Sequence, residues 1–497
     1  LHMEEGMDFQ FKTEPREHQR VMFERTKDLP SWGYLWEMGL GKSKIVLDVA
    51  AYQYLQGNID TLLVVAPNGV HRNWITDEVP RHLVDVGEYH ALCYYSKEAT
   101  TQRWLAVKEK FFKSKGMLIV AMSYDSLLTA RGYAFVDRLL NRRVMLVLDE
   151  SQRIKNPDAK RTKKLLSLAP RAVFRRILSG TPITNSPFDA WSQFEFLQTG
   201  FWSSIQCRKF VAFKRVFGVF QKIKVEQYSK SQKRMVERDV PICVGYRDVQ
   251  SLNQLISQLS DRKTKDLCLD LPPKVYTKVY IEMTADQRRM YKDLKQKAYT
   301  YSEDGDLITG AMAMTKMIRF QQIVCGFVVT EDQETVNLAG SVNPRIAALL
   351  QVLEDCGDEQ AIVWARFNYD VDLISSSLDA AKISHVTYDG RTKDSDRGPA
   401  IDRFRSGDAR VFVAKASTAG EGLTLTEATQ VVYYSNTFRL SERLQSEDRC
   451  HRIGQDHSVT YTDLVTENSI DEKIVAALRE KKDIADLITG DTWREWI

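Results

Sequence analysis

Residues 37–43 read Glu-Met-Gly-Leu-Gly-Lys-Ser, a pattern suited to holding phosphate. Gly39 and Gly41 let the backbone turn tightly and aim N–H groups at anionic oxygens. Lys42 at that spacing can reach the β- and γ-phosphates of a nucleotide, and the Ser43 hydroxyl suits a Mg2+ ligand. Residues 43–54 then read as a helix whose positive N-terminal end faces the anion. Trp36 stands where the strict G-x-x-x-x-G-K-[ST] pattern has its first glycine. A second cluster follows about 110 residues later, where Asp149 and Glu150 close the apolar run Val144–Leu148. The carboxyl ends of buried strands are where α/β sheets bind ligands. Asp149 can hold Mg2+ there, and Glu150 can polarise an attacking water. The chemistry these two clusters point to is phosphoryl transfer from a nucleoside triphosphate to water.

Such groups need a rigid frame, and the pattern around them supplies one. Short apolar runs recur at Thr61–Pro67, Met117–Met122, Val144–Leu148 and Arg176–Ser179, and again at Ala361–Ala365, Ser384–Tyr388, Val411–Ala414 and Val431–Ser435. Runs this short and rich in Val and Ile suit strands buried on both faces. Helical stretches between them predict right-handed βαβ units and therefore parallel sheets. The middle region, about 200–260, lacks that rhythm and reads as helical. Leu271-Pro272-Pro273-Lys274 breaks regular structure, which places a boundary between two halves near residue 271. A closing helix is expected from about residue 470, with Ser469 and Glu472 as a capping box.

The chain has 497 residues, 43% of them hydrophobic, which is enough for two or three domains. No apolar run approaches the roughly 18 residues of a membrane span, and no membrane association is expected. Seven scattered cysteines without a CxxC pair argue against a disulfide framework or a zinc site and favour a reducing compartment. A net charge of +4 is too small to imply nucleic acid by itself.

Taken with their order, these segments resemble the Swi/Snf ATPases of the superfamily-two helicase-like motors. The resemblance runs from Arg16 to about Gly490. It is carried by EMGLGKS at 37–43, VAPNGVHRNW at 65–74, SYDSL at 123–127 and LVLDESQRIKN at 146–156. SGTPITNSPFDAW at 179–191, DGRT at 389–392, ASTAGEGLTLTEA at 416–428 and QSEDRCHRIGQ at 445–455 complete it. Gln152 departs from the commoner DEAH form of the fourth segment but keeps a donor and an acceptor.

The resemblance implies an α/β fold of two RecA-like lobes, each a mainly parallel sheet flanked by helices, with a helical insertion between them. The expected bounds are 1–199 for the ATP-binding lobe, 200–270 for the insertion and 271–497 for the second lobe. It implies ATP as substrate with Mg2+, and adenine recognition by Arg16 and Gln19. Lys42, Glu150, Arg449 and Arg452 are the expected catalytic residues; Gly39, Gly41, Ser43, Asp149 and Gln445 are expected around the nucleotide, with Ser43 and Asp149 on the metal. Arg449 and Arg452, three apart, are expected on one helix face with Gln445 about a turn earlier. Asn73, Ser123, Thr181 and Thr418 are candidate phosphate contacts to a DNA strand. The partner implied is double-stranded DNA, gripped through its backbone by a monomeric motor that translocates. Trp36 before EMGLGKS and the Ser-Thr-Ala-Gly-Glu-Gly-Leu stretch at 417–423 resemble the compact bacterial and phage branch, which implies an intracellular, DNA-associated protein of a bacterium or phage-infected cell. A strand-separating DNA or RNA helicase is the alternative.

One further feature belongs to this chain's own composition. Between 205 and 238, ten basic residues oppose two acidic ones, a local charge of +8. Lys222, Lys224, Lys233 and Arg234 are among them, beside Phe210, Phe213, Phe217 and Phe220 at helical spacing. The segment reads either as a solvated face on a helical insertion or as a surface that grips phosphates.

Overall fold

The structure is a computed structural model that describes residues 9–489 apart from 69, 230–233, 304–309, 331, 333 and 422. It divides into two compact units. The first is built mainly from the chain up to Val219 together with Gly245–Asp270; the second takes Phe220–Val244 and Leu271–Lys482.

The first unit is organised by seven strands. They are β1 (Ser31–Trp36), β2 (Thr61–Ala66), β3 (Tyr89–Tyr94), β4 (Met117–Ser123), β5 (Val144–Asp149) and β6 (Phe174–Leu178), then, after the pair β7 (Gly218–Ser229) and β8 (Arg234–Tyr246), β9 (Ser260–Lys263). The order across the sheet is β3-β4-β2-β5-β6-β1-β9, and every pairing is parallel. Strands β1, β2, β4 and β5 are buried along their whole length, as their apolar runs require. Helices α1 (Glu17–Thr26) and α2 (Lys42–Leu55) pack on the core formed with these strands. The order sets β5, β6 and β1 side by side, so three strand ends come together: Asp149-Glu150 after β5, Ser179–Thr181 after β6 and the phosphate loop after β1.

The middle region departs from the all-helical expectation. Short helices cover Phe201–Ile205 and Phe210–Phe217, but β7 and β8 then form a two-stranded sheet of their own. A helix at Val249–Ile256 follows, and β9 returns to the first sheet as its edge beside β1. The phenylalanine stripe accordingly stops at Phe217. Phe213 and Phe217 are buried, with Phe213 4.6 Å from Trp202, whereas Phe220 lies on β7 and is 37% exposed. The physical reason is Gly218 followed by β-branched residues in two-residue alternation, a strand pattern.

The second unit holds β10 (Lys274–Ile281), the small pair β11 (Phe327–Val329) and β12 (Thr335–Asn337), then β13 (Ala361–Ala365), β14 (His385–Tyr388), β15 (Val411–Lys415), β16 (Gln430–Tyr433) and β17 (Val459–Thr466). Its six-stranded sheet runs β10-β17-β16-β13-β15-β14, again parallel throughout. The closing helix Ile470–Thr489 begins where expected, but not as the reciprocal box: the Asp471 amide donates to Ser469 Oγ, and Glu472 accepts from the Asn468 amide instead of the Ser469 amide. Each unit is a parallel sheet flanked by helices, the RecA-like arrangement. No helix among the described residues is long and apolar enough to cross a membrane.

Candidate nucleotide site

The phosphate loop leaves β1 and enters α2 through two left-handed glycines, Gly39 at φ 80° and Gly41 at φ 77°. A side chain at Gly41 would also collide with Gln19, since its Cβ would lie 2.1 Å from the Gln19 amide nitrogen. That nitrogen donates to the Leu40 and Gly41 carbonyls at 3.3 and 3.2 Å, while the Gln19 oxygen accepts from the Arg16 amide at 2.9 Å. Gln19 therefore fastens the start of α1 to the loop, and the Arg16 side chain remains exposed. The Lys42 amine donates to the carbonyls of Trp36 and Glu37 at 2.8 and 3.1 Å. Ser43 lies in the first turn of α2, half-buried. Trp36 is wholly buried, and its indole donates to the Asp261 carboxylate at 2.6 Å. The position that a glycine fills in the strict pattern is here a packing anchor for the strand that feeds the loop.

Asp149 sits at the end of β5 with its carboxylate accepting from the Trp74 indole at 2.9 Å and from the Glu150 amide at 3.0 Å. Burial and the neighbouring Glu150 push its carboxyl up to about 6. Glu150 follows in the left-handed region, φ 52° and ψ 55°. Such strain in a non-glycine residue costs about 1–3 kcal/mol and is typical of functional sites. Its carboxylate accepts from Gln152 at 2.6 Å, and the other end of that amide accepts from Ser179 Oγ at 2.7 Å. Ser179 Oγ in turn accepts from the Thr181 amide at 3.0 Å. Gln152 thus uses its donor and its acceptor at once, joining Glu150 to the segment after β6.

The donor set fits Mg2+. Among the described residues no cluster of three His, Cys, Asp or Glu could hold a metal alone. Mg2+ keeps waters and is commonly bound through one or two carboxylates plus substrate phosphates. Asp149, whose buried charge a cation would relieve, and Ser43 supply that set.

In the second unit the arginine segment differs from its expected geometry. The helix Leu440–Glu447 carries Gln445, half-buried, and ends before Arg449; both arginines lie in the turns that follow, not on a helix face. They still act as a pair, each donating from Nη1 to the Leu423 carbonyl, at 3.2 and 3.3 Å. Gln455 ties the same stretch to the Thr426 and Ala428 carbonyls. The helix is seated by Arg443, which pairs with Glu447 at 2.8 Å and Asp463 at 2.6 Å and stacks 3.5 Å over Tyr433. Arg443, Glu447 and Asp463 support this segment and were missed from the sequence; Arg443 and Glu447 lie four apart on the helix, and Asp463 is a charge inside the buried strand β17.

The candidate DNA contacts are placed unevenly. Asn73 is exposed at the end of the helix Val70–Asn73. Ser123 is buried, and its hydroxyl caps the next helix by accepting from the Ser126 amide; Thr181 is buried too. Thr418 donates to the Lys415 carbonyl from a short helical turn. Lys222 is 77% exposed and 4.0 Å from Asp239, and Lys224 is exposed. Lys233 lies outside the described residues, and of Arg234 only its place on β8 is described.

The structure therefore places Gln19, Lys42, Ser43, Asp149 and Glu150 at neighbouring strand ends and helix starts of the first unit, and pairs Arg449 with Arg452 in the second, with Gln445 on the helix before them. A profile of the SNF2-related domain matches residues 21–326. The chain belongs to the SNF2-related family. The helicase conserved C-terminal domain matches residues 344–454, so this SNF2-related chain carries both domains. It is similar to an uncharacterized ATP-dependent helicase of Mycoplasma genitalium, 23% identical over 458 residues covering 90% of this chain and 39% of that protein. It is also similar to the transcription regulatory protein SNF2 of Saccharomyces cerevisiae, 24% identical over 470 residues covering 90% of this chain and 26% of that protein. The SNF2-related chain thus spans well under half the length of these relatives. A solved Sulfolobus solfataricus SWI2/SNF2 ATPase core in complex with dsDNA is 21% identical, with a TM-score of 0.42 over 98% of this chain and 96% of that one.

Proposed function

We propose that this chain hydrolyses ATP and uses the energy to translocate as a monomer on double-stranded DNA, remodelling DNA or protein–DNA complexes. The observation that carries the reading is the relay Glu150–Gln152–Ser179 beside the glycine-bounded loop of Lys42. It fixes a carboxylate where a water must be activated and connects it to the next strand end. In this mechanism Lys42 leaves its two carbonyl partners for the β- and γ-phosphates. Ser43 and Asp149 would hold Mg2+, which would offset negative charge on the phosphates. Glu150 accepts the proton of the attacking water, with the Gln152 amide fixing its orientation. Arg449 and Arg452 supply guanidinium forks suited to γ-phosphate oxygens. Family membership and the +8 stretch at 205–238 support DNA as the track.

The deciding measurement is ATPase rate against duplex DNA, single-stranded DNA and RNA. Duplex is expected to stimulate most, and displacement of a triplex-forming strand is expected without unwinding of a forked duplex. Best stimulation by single strands, with robust unwinding, would replace the proposal by a strand-separating helicase. The basic segment gives a second expected result. Changing Lys222, Lys224, Lys233 and Arg234 together to Gln weakens duplex binding alike for all sequences, and the log–log salt slope flattens by about 0.9 for every phosphate that is no longer neutralised. A titration of affinity against salt reads this; an unchanged slope assigns the segment to a solvated face.

A further inference from the structure

Strand β9 does more than close a sheet edge. It pairs with β1 so that Tyr34 faces Asp261, Leu35 faces Arg262 and Trp36 faces Lys263. Asp261 shares a face with the alternate residues of β1 and accepts from the indoles of Trp32 and Trp36 at 2.8 and 2.6 Å. Arg262, on the opposite face, donates to the carbonyls of Leu35 at 2.8 Å and Gly180 at 3.1 Å. It therefore touches both the strand that feeds the phosphate loop and the segment that carries the Ser179 partner of Gln152.

The same short stretch holds Glu37, the first residue of the loop. The Glu37 amide donates to the Lys263 carbonyl at 2.9 Å, one carboxylate oxygen accepts from the Lys265 amide at 2.8 Å, and the other lies 3.6 Å from the Arg262 guanidinium. The Glu37 carbonyl meanwhile accepts from the Lys42 amine. One residue thus carries the phosphate lysine on its carbonyl and residues 262–265 on its amide and carboxylate. Residues 271–482 belong to the second unit, so this stretch is one of the places where the chain leaves the first.

We infer that Glu37 and Arg262 are positioning residues that transmit occupancy of the phosphate loop to the connection at 262–270. The inference rests on the nucleotide reading above. When Lys42 exchanges the Glu37 carbonyl for phosphate oxygens, the Glu37 peptide loses a cationic partner and re-aims. Its amide and charged carboxylate are anchored on β9 and the Lys265 amide, and bonds of this charge-assisted kind are short and directional. The displacement is therefore felt at Lys265, which opens the path to the second unit. The Gly180 contact of Arg262 makes the same connection sensitive to the arm that bears Ser179.

Hydrogen exchange tests this without hydrolysis or DNA. A non-hydrolysable ATP analogue with Mg2+ is titrated to saturation, binding is measured directly, and exchange of the 260–274 amides is followed. In the unaltered protein the analogue is expected to change exchange at Lys265 by about tenfold or more, a shift in local opening. In Arg262→Met and Glu37→Gln the saturated protein is expected to show less than about a twofold change there. Arg262→Lys, which restores the charge without the fork, is expected to recover part of it. Glu37→Gln keeps an acceptor for the Lys265 amide and carries the test should Arg262→Met not fold. Binding without any change at 260–274, or the same change in both variants, overturns the inference alone. An analogue that does not bind the unaltered protein overturns the nucleotide reading and this inference with it.

Discussion

Glu150→Gln is expected to bind ATP and to turn it over at least about 10²-fold more slowly, the range a positioned general base contributes. The substitution keeps size and the left-handed backbone at φ 52°. It removes the charge that draws the Gln152 amide and the basicity that takes a proton from water. Binding is preserved because Lys42, Gly39 and Gly41 are untouched. Single-turnover hydrolysis alongside nucleotide binding separates these effects. A variant retaining more than about a tenth of wild-type turnover would remove Glu150 from its role, since that is far above what loss of a base permits. Lys42→Ala gives the complementary pattern, with nucleotide binding itself lost.

Arg449→Ala and Arg452→Ala are expected to fold, bind ATP and bind DNA, yet to lose about 10³–10⁵ in hydrolysis, the contribution of an arginine finger. In the structure both guanidinium groups rest on the neutral carbonyl of Leu423. A phosphate oxygen is the stronger acceptor, because both partners are then charged. The two side chains lie in turns after the helix Leu440–Glu447, and that helix is locked independently by Arg443, Glu447 and Asp463. Truncation therefore spares the frame. DNA-stimulated turnover close to wild type in both variants would remove both arginines from the mechanism.

The parts of this molecule that were legible from sequence are those where one physical demand dominates. Strands β2, β4 and β5 are buried on both faces, so their residues are nearly all apolar and announce themselves. Gly39 and Gly41 are glycines because the loop needs positive φ, and Asp149-Glu150 stands out because carboxylates seldom end a buried run. What stayed hidden answers to several demands at once. Strand β9 reads Ser-Asp-Arg-Lys, a polar string by composition, and is a strand because its side chains satisfy Trp36, Glu37 and the Gly180 carbonyl. Strand β3, at a sheet edge, is only partly buried and lacks an apolar run. Arg449 and Arg452 have helical spacing, but spacing alone could not show that the helix stops at Glu447. The role of Gln152 was open until Glu150 and Ser179 were found on its two ends.

The place of β9 also bears on how the protein is made. The first sheet is complete only when residues 260–263 pair with β1, more than eighty residues after β6 has been synthesised. Until then a growing chain carries β1 with one edge unpaired, and exposed strand edges are templates for wrong pairing with other chains. The indoles of Trp32 and Trp36 also lack their Asp261 acceptor over that interval. During translation the first unit is therefore committed late, and the ribosome must deliver the whole β7–β8 ribbon before the sheet closes. Parallel strands distant in sequence also form slowly, because closing the long intervening loop costs entropy before any contact is made. A folding helper that shields β1 during this window would cover the edge that β9 later occupies.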